Sequence, residues 1–428
     1  MHSKRFSVIG CGKLGLCLAA CLGRITKKVL CCDNNDELIK HVQQGVSPFS
    51  EPGLKEQLEL VELEFTSDFK YIINETDITF IVLPTPSLDN GAFDYSIIES
   101  ICTSLASAMM TKNGHHTLSL VSTVSPGTCC KLISTIENIS GLKCEKDFSF
   151  CYNPSFIALG SVINNLTMPD FILLGGDKKG LDILGDFYTC FIKNHSPIHK
   201  MSIQSAEITK IALNAFITTK MTFANFLGRL CAKVEGADVD AITNALGSDS
   251  RIGAKYLHAA LPFAGPCFPR DNKAFCHFAS LSGLEAYISR AVDLLNKEQC
   301  YYIEEYVLKH VVKDSCVGIL GVSYKPDTGV LDGSPAIKLV DRLKKESVNC
   351  RLYDPLVSKC GNYSDLIIDD IMSFLNVCDV LVLMHSSGKV VDDLNSAINS
   401  HNKQHVLIDC WRTQRFQGKK LRVISLFE

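Results

Sequence analysis

The stretch "VIGCGKLG" (8–15) constrains the fold of this chain more than any other. It follows a buried-strand pattern, "RFSVIG", and opens an apolar helical pattern, "LGLCLAACLGRI". A strand that passes through a glycine turn into a helix begins a βαβ unit, and each glycine has its own task. Gly10 permits the tight turn, Gly12 lets backbone approach a pyrophosphate, and Gly15 lets helix and strand pack closely. The helix N-terminus at Lys13 and Leu14 offers N–H groups and the positive end of a dipole. Asp33 closes the next strand, "KVLCCD", where a carboxylate can accept bonds from an adenosine ribose. Asn34 and Asn35 follow it and bring no cation for a 2′-phosphate, so the expected cofactor is NAD rather than NADP. A glycine turn without a cofactor is the plain alternative, and the strand–turn–helix setting weighs against it.

The same alternation continues. "ITFIVLP", "TLSLVSTV", "FSFCYNP" and "DFILLGG" read as strands, with helical stretches such as "YSIIESICTSLASAMM" between them. Repeated βαβ units predict a parallel, doubly wound sheet. From Ser205 to Val234 apolar residues recur at helical spacing, with Gly236 as the stop, and more helix is expected to about His310. "SCVGILGVSY", "VNCRLYDP", "CDVLVLMH" and "HVLIDC" then announce a second α/β region. The expected division is a dinucleotide-binding domain over 1–200, a helical centre over 201–310 and a second Rossmann-like domain over 311–428.

Composition removes several classes of function. With 46% hydrophobic and 21% charged residues the chain can bury large cores. A net charge of −3 leaves no basic footprint for nucleic acid or for an anionic membrane. No apolar run approaches the ~20 residues of a membrane span, and the N-terminus lacks a signal-peptide pattern. There are 20 cysteines, and many, such as Cys17, Cys21, Cys31, Cys102 and Cys316, lie in apolar runs where they read as small hydrophobes. No spacing suits zinc. The expectation is a reduced, cytoplasmic protein without a structural metal.

Other stretches acquire meaning together: "SPFSEPGL" (47–54), "LPTPSLDNGAFD" (83–94), "STVSPGT" (122–128), "AEITKIALNAF" (206–216), "GADVDAITNALGSDSRIG" (236–253), "PFAGPCFPRD" (262–271) and "GVSYKPDT" (321–328). In order and wording they resemble the UDP-glucose/GDP-mannose dehydrogenase family across nearly the whole chain. The resemblance implies two Rossmann-like domains joined by a long helix, a homodimer, and NAD-linked oxidation of a nucleotide-sugar hydroxymethyl group to a carboxylate. An aldehyde has no second hydride to give until a nucleophile adds to it. A thiol suits that step, because the thioester it forms can be hydrolysed. Cys267 matches the family's cysteine. Lys210 and Asn214, on one helix face, match residues that face the reacting oxygen, where a lysine stabilises an alkoxide. Asp271 is expected to hold Lys210 or a water, and Thr123 to position a water. Arg251 is expected to reach the sugar nucleotide across a dimer interface, and Lys325 to contact it from "SYKPDT". The resemblance also places Pro84, Thr85 and Thr123 beside the cofactor, and Phe156, Tyr256, Phe263 and Gly265 beside the substrate. Each has a plainer reading as a core, capping or surface residue.

The pattern breaks at "NPSFIALG", where Ser155 and Leu159 stand at positions that are glutamate in the family. The first of those glutamates is the candidate base for thioester hydrolysis, and a serine without a partner is no base at neutral pH. Either Asp271 or a bound water takes over, or the protein is slow or arrested at the thioester, or Ser155 is an engineered substitution. The expectation is that oxidation to the thioester survives and hydrolysis is impaired, with a nucleotide-sugar and NAD binding protein that has lost turnover as the alternative. Smaller departures surround the sugar and cofactor contacts: Ala264 and Pro266 in the cysteine loop, Arg270 beside Asp271, Asp332 where an arginine is expected, Arg412 offset by one in "DCWR", and "MHSS" in place of a usual "TEW". They leave the sugar open between UDP-glucose, a UDP-N-acetylhexosamine and GDP-mannose.

Overall fold

A computed structural model describes residues 4–49, 51–412, 416 and 420–427. The chain forms two compact units, Met1–Ile211 and Ala212–Glu428, with the division inside the helix Ile203–Cys231.

The first unit is built on strands β1 (Phe6–Ile9), β2 (Lys28–Cys32), β3 (Glu62–Phe65), β4 (Ile78–Ile81), β5 (His116–Leu120), β6 (Phe148–Tyr152), β7 (Ile172–Gly175) and β8 (Ile198–Met201). They form one sheet in the order β3-β2-β1-β4-β5-β6-β7-β8. All neighbours are parallel except β6 and β7. A sheet of this kind is covered on both faces, so its central strands β1, β4, β5 and β6 are buried at every position, with polar Ser7, Thr79 and Ser119 among their apolar residues. Val8 and Phe80 pack on one side with the helices Lys13–Leu22 and Lys178–Phe191. Ile9, Ile81 and Leu118 pack on the other with Ser96–Met109 and Thr128–Ser140.

The second unit carries three helices, Val239–Ser248, Phe268–Leu281 and Tyr287–Leu308, before its own sheet. That sheet consists of β9 (Cys316–Leu320), β10 (Asn349–Tyr353), β11 (Val380–Leu383), β12 (His405–Asp409) and β13 (Leu421–Ser425), ordered β10-β9-β11-β12-β13 and parallel throughout. The expected α/β class with two doubly wound parallel sheets and a long intervening helix is therefore observed. No helix among the described residues is long and apolar enough to cross a membrane.

Two details differ from the sequence pattern. The long helix ends at Cys231, short of the expected Val234, because Lys233 and Val234 close tighter bonds to Leu230 and Cys231 before Gly236 turns at φ +79. Strands β3, β8 and β13 carry no apolar run, since all three are sheet edges. Lys28, on β2, pairs with Glu62 and Glu64 on β3, and charged side chains of this kind suit an edge strand.

Candidate active site

In the first unit the glycine turn is held by sterics and by Asp33. Gly10 has φ +89, and a Cβ there would stand 2.2 Å from Val82 O. A Cβ on Gly15 would stand 1.8 Å from Gly10 O. Gly12 has open space around it, with no atom within 4 Å of its missing Cβ. It also caps the helix Lys13–Leu22 without any side-chain hydrogen bond. Asp33 Oδ2 accepts from Cys11 N at 2.5 Å, and Oδ1 accepts from Asn35 N at 2.9 Å. The carboxylate therefore also locks the turn that precedes the helix. A bare helix N-terminus behind an uncrowded glycine fits a pyrophosphate.

These glycines separate two effects. Gly15→Ala is expected to lower Tm, because overpacking at this contact costs about 1–3 kcal/mol. Gly12→Val is expected to leave Tm in place and to raise the KM for NAD on the order of tenfold, a loss of ~1.4 kcal/mol in binding. Thermal melts and NAD titrations of both variants check this pair.

The loops after β4 and β5 are tied together. Thr85 Oγ1 donates to Thr123 O at 2.7 Å, and Ser122 Oγ bonds both Leu83 N and Leu83 O. Pro84 lies within this tie. Lys210 is buried; its ammonium donates to Ser155 O at 2.8 Å and lies 4.5 Å from the centre of the Phe156 ring. The structure thus joins three of the expected residues, with Lys210 bonded to the backbone of the very position where the family glutamate is missing.

Two carboxylates that the sequence reading passed over hold this framework. Glu207, one turn before Lys210, is fully buried and accepts from Gly127 N at 2.7 Å and Cys129 N at 2.9 Å. It caps the helix Thr128–Ser140 from a distant part of the chain. Glu51 accepts from Gly160 N at 2.9 Å and Val162 N at 2.7 Å, and so anchors the end of the "NPSFIALG" segment. An acid at an apolar helical position was the only local hint for Glu207.

In the second unit Cys267 is exposed and occupies the N-cap of the helix Phe268–Leu281. The positive end of that helix favours an anion at this position. Asp271, one turn into the helix, is fully buried. Its carboxylate accepts from Asn214 Nδ2 at 2.6 Å and from Arg270 Nε at 3.0 Å. Gly265 has φ +82, and a Cβ there would stand 2.5 Å from the Tyr324 ring. Glycine is thus required for the cysteine loop to lie against "SYKPDT". Burial and the nearby Cys267 charge push the Tyr324 hydroxyl up to about 12. Lys325 Nζ is 5.8 Å from the centre of the same ring.

The remaining candidates are more scattered. Phe263 is buried and its backbone is clamped in both directions by Asn296, so it shapes the loop from within. Tyr256 has φ +63 and meets Phe268 edge-on. Arg251 is highly exposed and forks onto Asp249. Arg412 forks onto Asp240 at 2.9 and 2.7 Å and donates to Ala259 O at 2.6 Å. It is thereby committed to bracing the end of β12 against the helix Val239–Ser248. At the carboxyl ends of β9, β10 and β11, Ser323 Oγ donates to Asp354 Oδ2 at 3.0 Å and meets His385 Nε2 at 3.2 Å. Burial pulls the His385 imidazole below its ordinary value. This network occupies the "MHSS" departure.

Sequence models of the UDP-glucose/GDP-mannose dehydrogenase family match residues 4–192 as the NAD binding domain, 204–298 as the central domain and 318–415 as the UDP binding domain. UDP-glucose 6-dehydrogenase TuaD of Bacillus subtilis is 32% identical over 82% of this chain and 76% of its own length. GDP-mannose 6-dehydrogenase of Pseudomonas aeruginosa is 30% identical over 91% of this chain and 93% of its own. Among solved structures, a UDP-glucose dehydrogenase from Pyrobaculum islandicum superposes with a TM-score of 0.85 at 26% identity, covering 98% of this chain and 97% of that one.

Proposed function

The chain belongs to the UDP-glucose/GDP-mannose dehydrogenase family and carries its NAD binding domain, and from that premise we propose that it oxidises the C6 hydroxymethyl group of a nucleotide sugar to the carboxylate. The carrying observation is Cys267, an exposed thiol at a helix N-cap in a loop whose shape Gly265 and Asp271 fix.

Gly10, Gly12, Gly15 and Asp33 would hold NAD at the glycine turn, where one molecule for each of the two oxidations would supply the hydride acceptor. The protein's part is to move protons and hold the carbon. In the first oxidation the hydroxyl proton passes to solvent and Lys210 stabilises the alkoxide, so that hydride can leave and an aldehyde forms. The Cys267 sulfur then adds to that carbon, and the thiohemiacetal oxygen bears the charge that Lys210 and Asn214 stabilise. Loss of the second hydride gives a thioester. Water, positioned by Thr123, adds to it, the C–S bond breaks, and the thiolate of Cys267 returns. Asp271 holds Asn214 in place for these steps. Arg251, Tyr256, Gly265 and Lys325, with Phe156, are assigned to the sugar nucleotide, and Phe263 to the shape of its loop.

UDP-glucose is the leading substrate, in a reduced cytoplasmic setting. GDP-mannose is the second reading, favoured by the longer coverage of the GDP-mannose 6-dehydrogenase relative. Incubation with NAD and a panel of nucleotide sugars, followed by NADH and intact mass together, tests the proposal. Two NADH per sugar with turnover supports a complete dehydrogenase. A single stoichiometric burst with a mass adduct marks an enzyme arrested at the thioester. Binding without either signal overturns the reading.

The protein is also assigned as a homodimer. Phe216, Phe223, Phe226 and Leu230 are 45–65% exposed and follow one face of the helix Ile203–Cys231. An apolar stripe of this kind needs a cover. Phe223→Glu is expected to halve the mass measured by light scattering at micromolar concentration. A dimer that persists would remove this face from the interface.

A further inference from the structure

Cys316 opens β9, and Cys378 ends the helix Ile371–Val377 that leads into β11. Strand alternation puts Cys316, Gly318 and Leu320 on one face of the sheet. Cys316 packs at the rim of the apolar cluster that contains Leu320, Phe374 and Cys378. Cys378 Sγ lies over Gly318, 2.7 Å from where a Cβ would stand, so the missing side chain makes room for the sulfur beside Cys316. Cys378 thus stands on the face of the sheet that carries Cys316.

The backbone fixes this proximity. Cys316 N donates to Asp379 Oδ2 at 2.8 Å, and Asp379 N donates to Cys316 O at 2.8 Å. With strands ~4.8 Å apart and ~3.3 Å between residues along each, the two cysteine Cα atoms are separated by roughly 6 Å. That is within the span of a disulfide.

The two thiols differ in access and in character. Cys316 is half-buried and Cys378 is buried. The neighbouring Cys378 thiol, with the charges of Arg351 and Lys403, pulls the Cys316 thiol below its ordinary value. Lys403 is kept in place by Asn376 O and Asp379 Oδ1, each at 3.0 Å. Cys316 is therefore the thiol that meets a reagent from solvent, and Cys378 is the one behind it. Both lie at the amino ends of β9 and β11, at the opposite end of the sheet from the Gly321–Lys325 loop.

We propose that Cys316 and Cys378 form a reversible oxidation site, in which a hydroperoxide oxidises Cys316 and Cys378 resolves the product to an intrachain disulfide. The Cys316 thiolate attacks a peroxide oxygen, the O–O bond breaks, and the departing oxygen leaves as an alcohol or, from hydrogen peroxide, as water. The sulfenic acid is then attacked by the Cys378 sulfur. The S–S bond forms, the S–O bond breaks, and water leaves with the Cys378 proton. The sulfurs lose two electrons in all and the peroxide gains them. A small thiol reverses the change by exchange.

The test treats the full chain with substoichiometric hydrogen peroxide, blocks free thiols with N-ethylmaleimide and digests without reduction. The expected product is a linked pair of peptides containing Cys316 and Cys378, lighter by two hydrogens and lost after dithiothreitol. Closing so long a chain loop should also raise Tm by several degrees, on the order of 5 °C. Cys378→Ser is expected to abolish the link and to increase dimedone labelling of Cys316. Complete oxidation of the exposed Cys190 and Cys267 before any link appears would overturn the proposal. So would Cys378→Ser with no added labelling at Cys316. NADH formation by Cys316→Ser should match the parent chain, which keeps this test separate from that of the dehydrogenase reading.

Discussion

Cys267→Ala is expected to lower carboxylate formation by about a thousandfold or more while leaving NAD binding and Tm unchanged. The size follows from the chemistry. Without a nucleophile on the aldehyde carbon, only slow addition of water can prepare the second hydride, so oxidation stops at the aldehyde or its hydrate. The side chain is exposed, so its removal opens no cavity in the core. The assay must separate aldehyde from acid, because NADH alone reports the first oxidation too. Trapping with a hydroxylamine and mass analysis of the sugar does so. An acid yield within tenfold of the parent would remove Cys267 from the reaction.

What could be read in advance followed physical range. The glycine turn and Asp33 are a local pattern, and each of their parts appears in the structure with a steric or hydrogen-bonding reason. Central strands were visible because burial on both faces leaves them rich in apolar residues and free of charge. Three of the four sheet edges, β3, β8 and β13, were missed because one side of each is free and charged residues such as Glu62, Glu64, Lys200 and Arg422 interrupt them. Glu207 and Glu51 were missed for a different reason. Each caps backbone far away in sequence, at |i−j| of 78 and above, and nothing in the local residues announces such a bond. Gly265 was legible as a family position, while the reason for it, the Tyr324 ring 2.5 Å from its missing Cβ, is purely tertiary. His385 lies in the "MHSS" departure, and its link to Ser323 and Asp354 shows that the altered stretch builds a buried polar network at the carboxyl ends of three strands.

Ser155→Glu is expected to raise the steady-state rate by about a hundredfold or more, the contribution of a well-placed general base. The parent chain should show one rapid phase of NADH formation followed by a slow one, with a thioester adduct on the enzyme between them. Thioester hydrolysis needs a group that takes a proton from water as it attacks. A serine hydroxyl does not, and its neighbour Lys210 is a cation whose ammonium bonds the Ser155 carbonyl at 2.8 Å. A carboxylate at this position would stand beside that ammonium, which offsets part of the cost of placing a second charge near a buried lysine. Ser155→Ala separates the two roles of the residue. If the hydroxyl takes no part, the alanine variant keeps the parent's burst and slow phase, and only the glutamate variant loses the burst amplitude. Rapid multiple turnover by the parent, unchanged by glutamate, would show that another group already activates the water. Asp271 is then the next residue to test. It is buried and bonded to Asn214 and Arg270, so its replacement should be Asn, which keeps the shape while removing the charge.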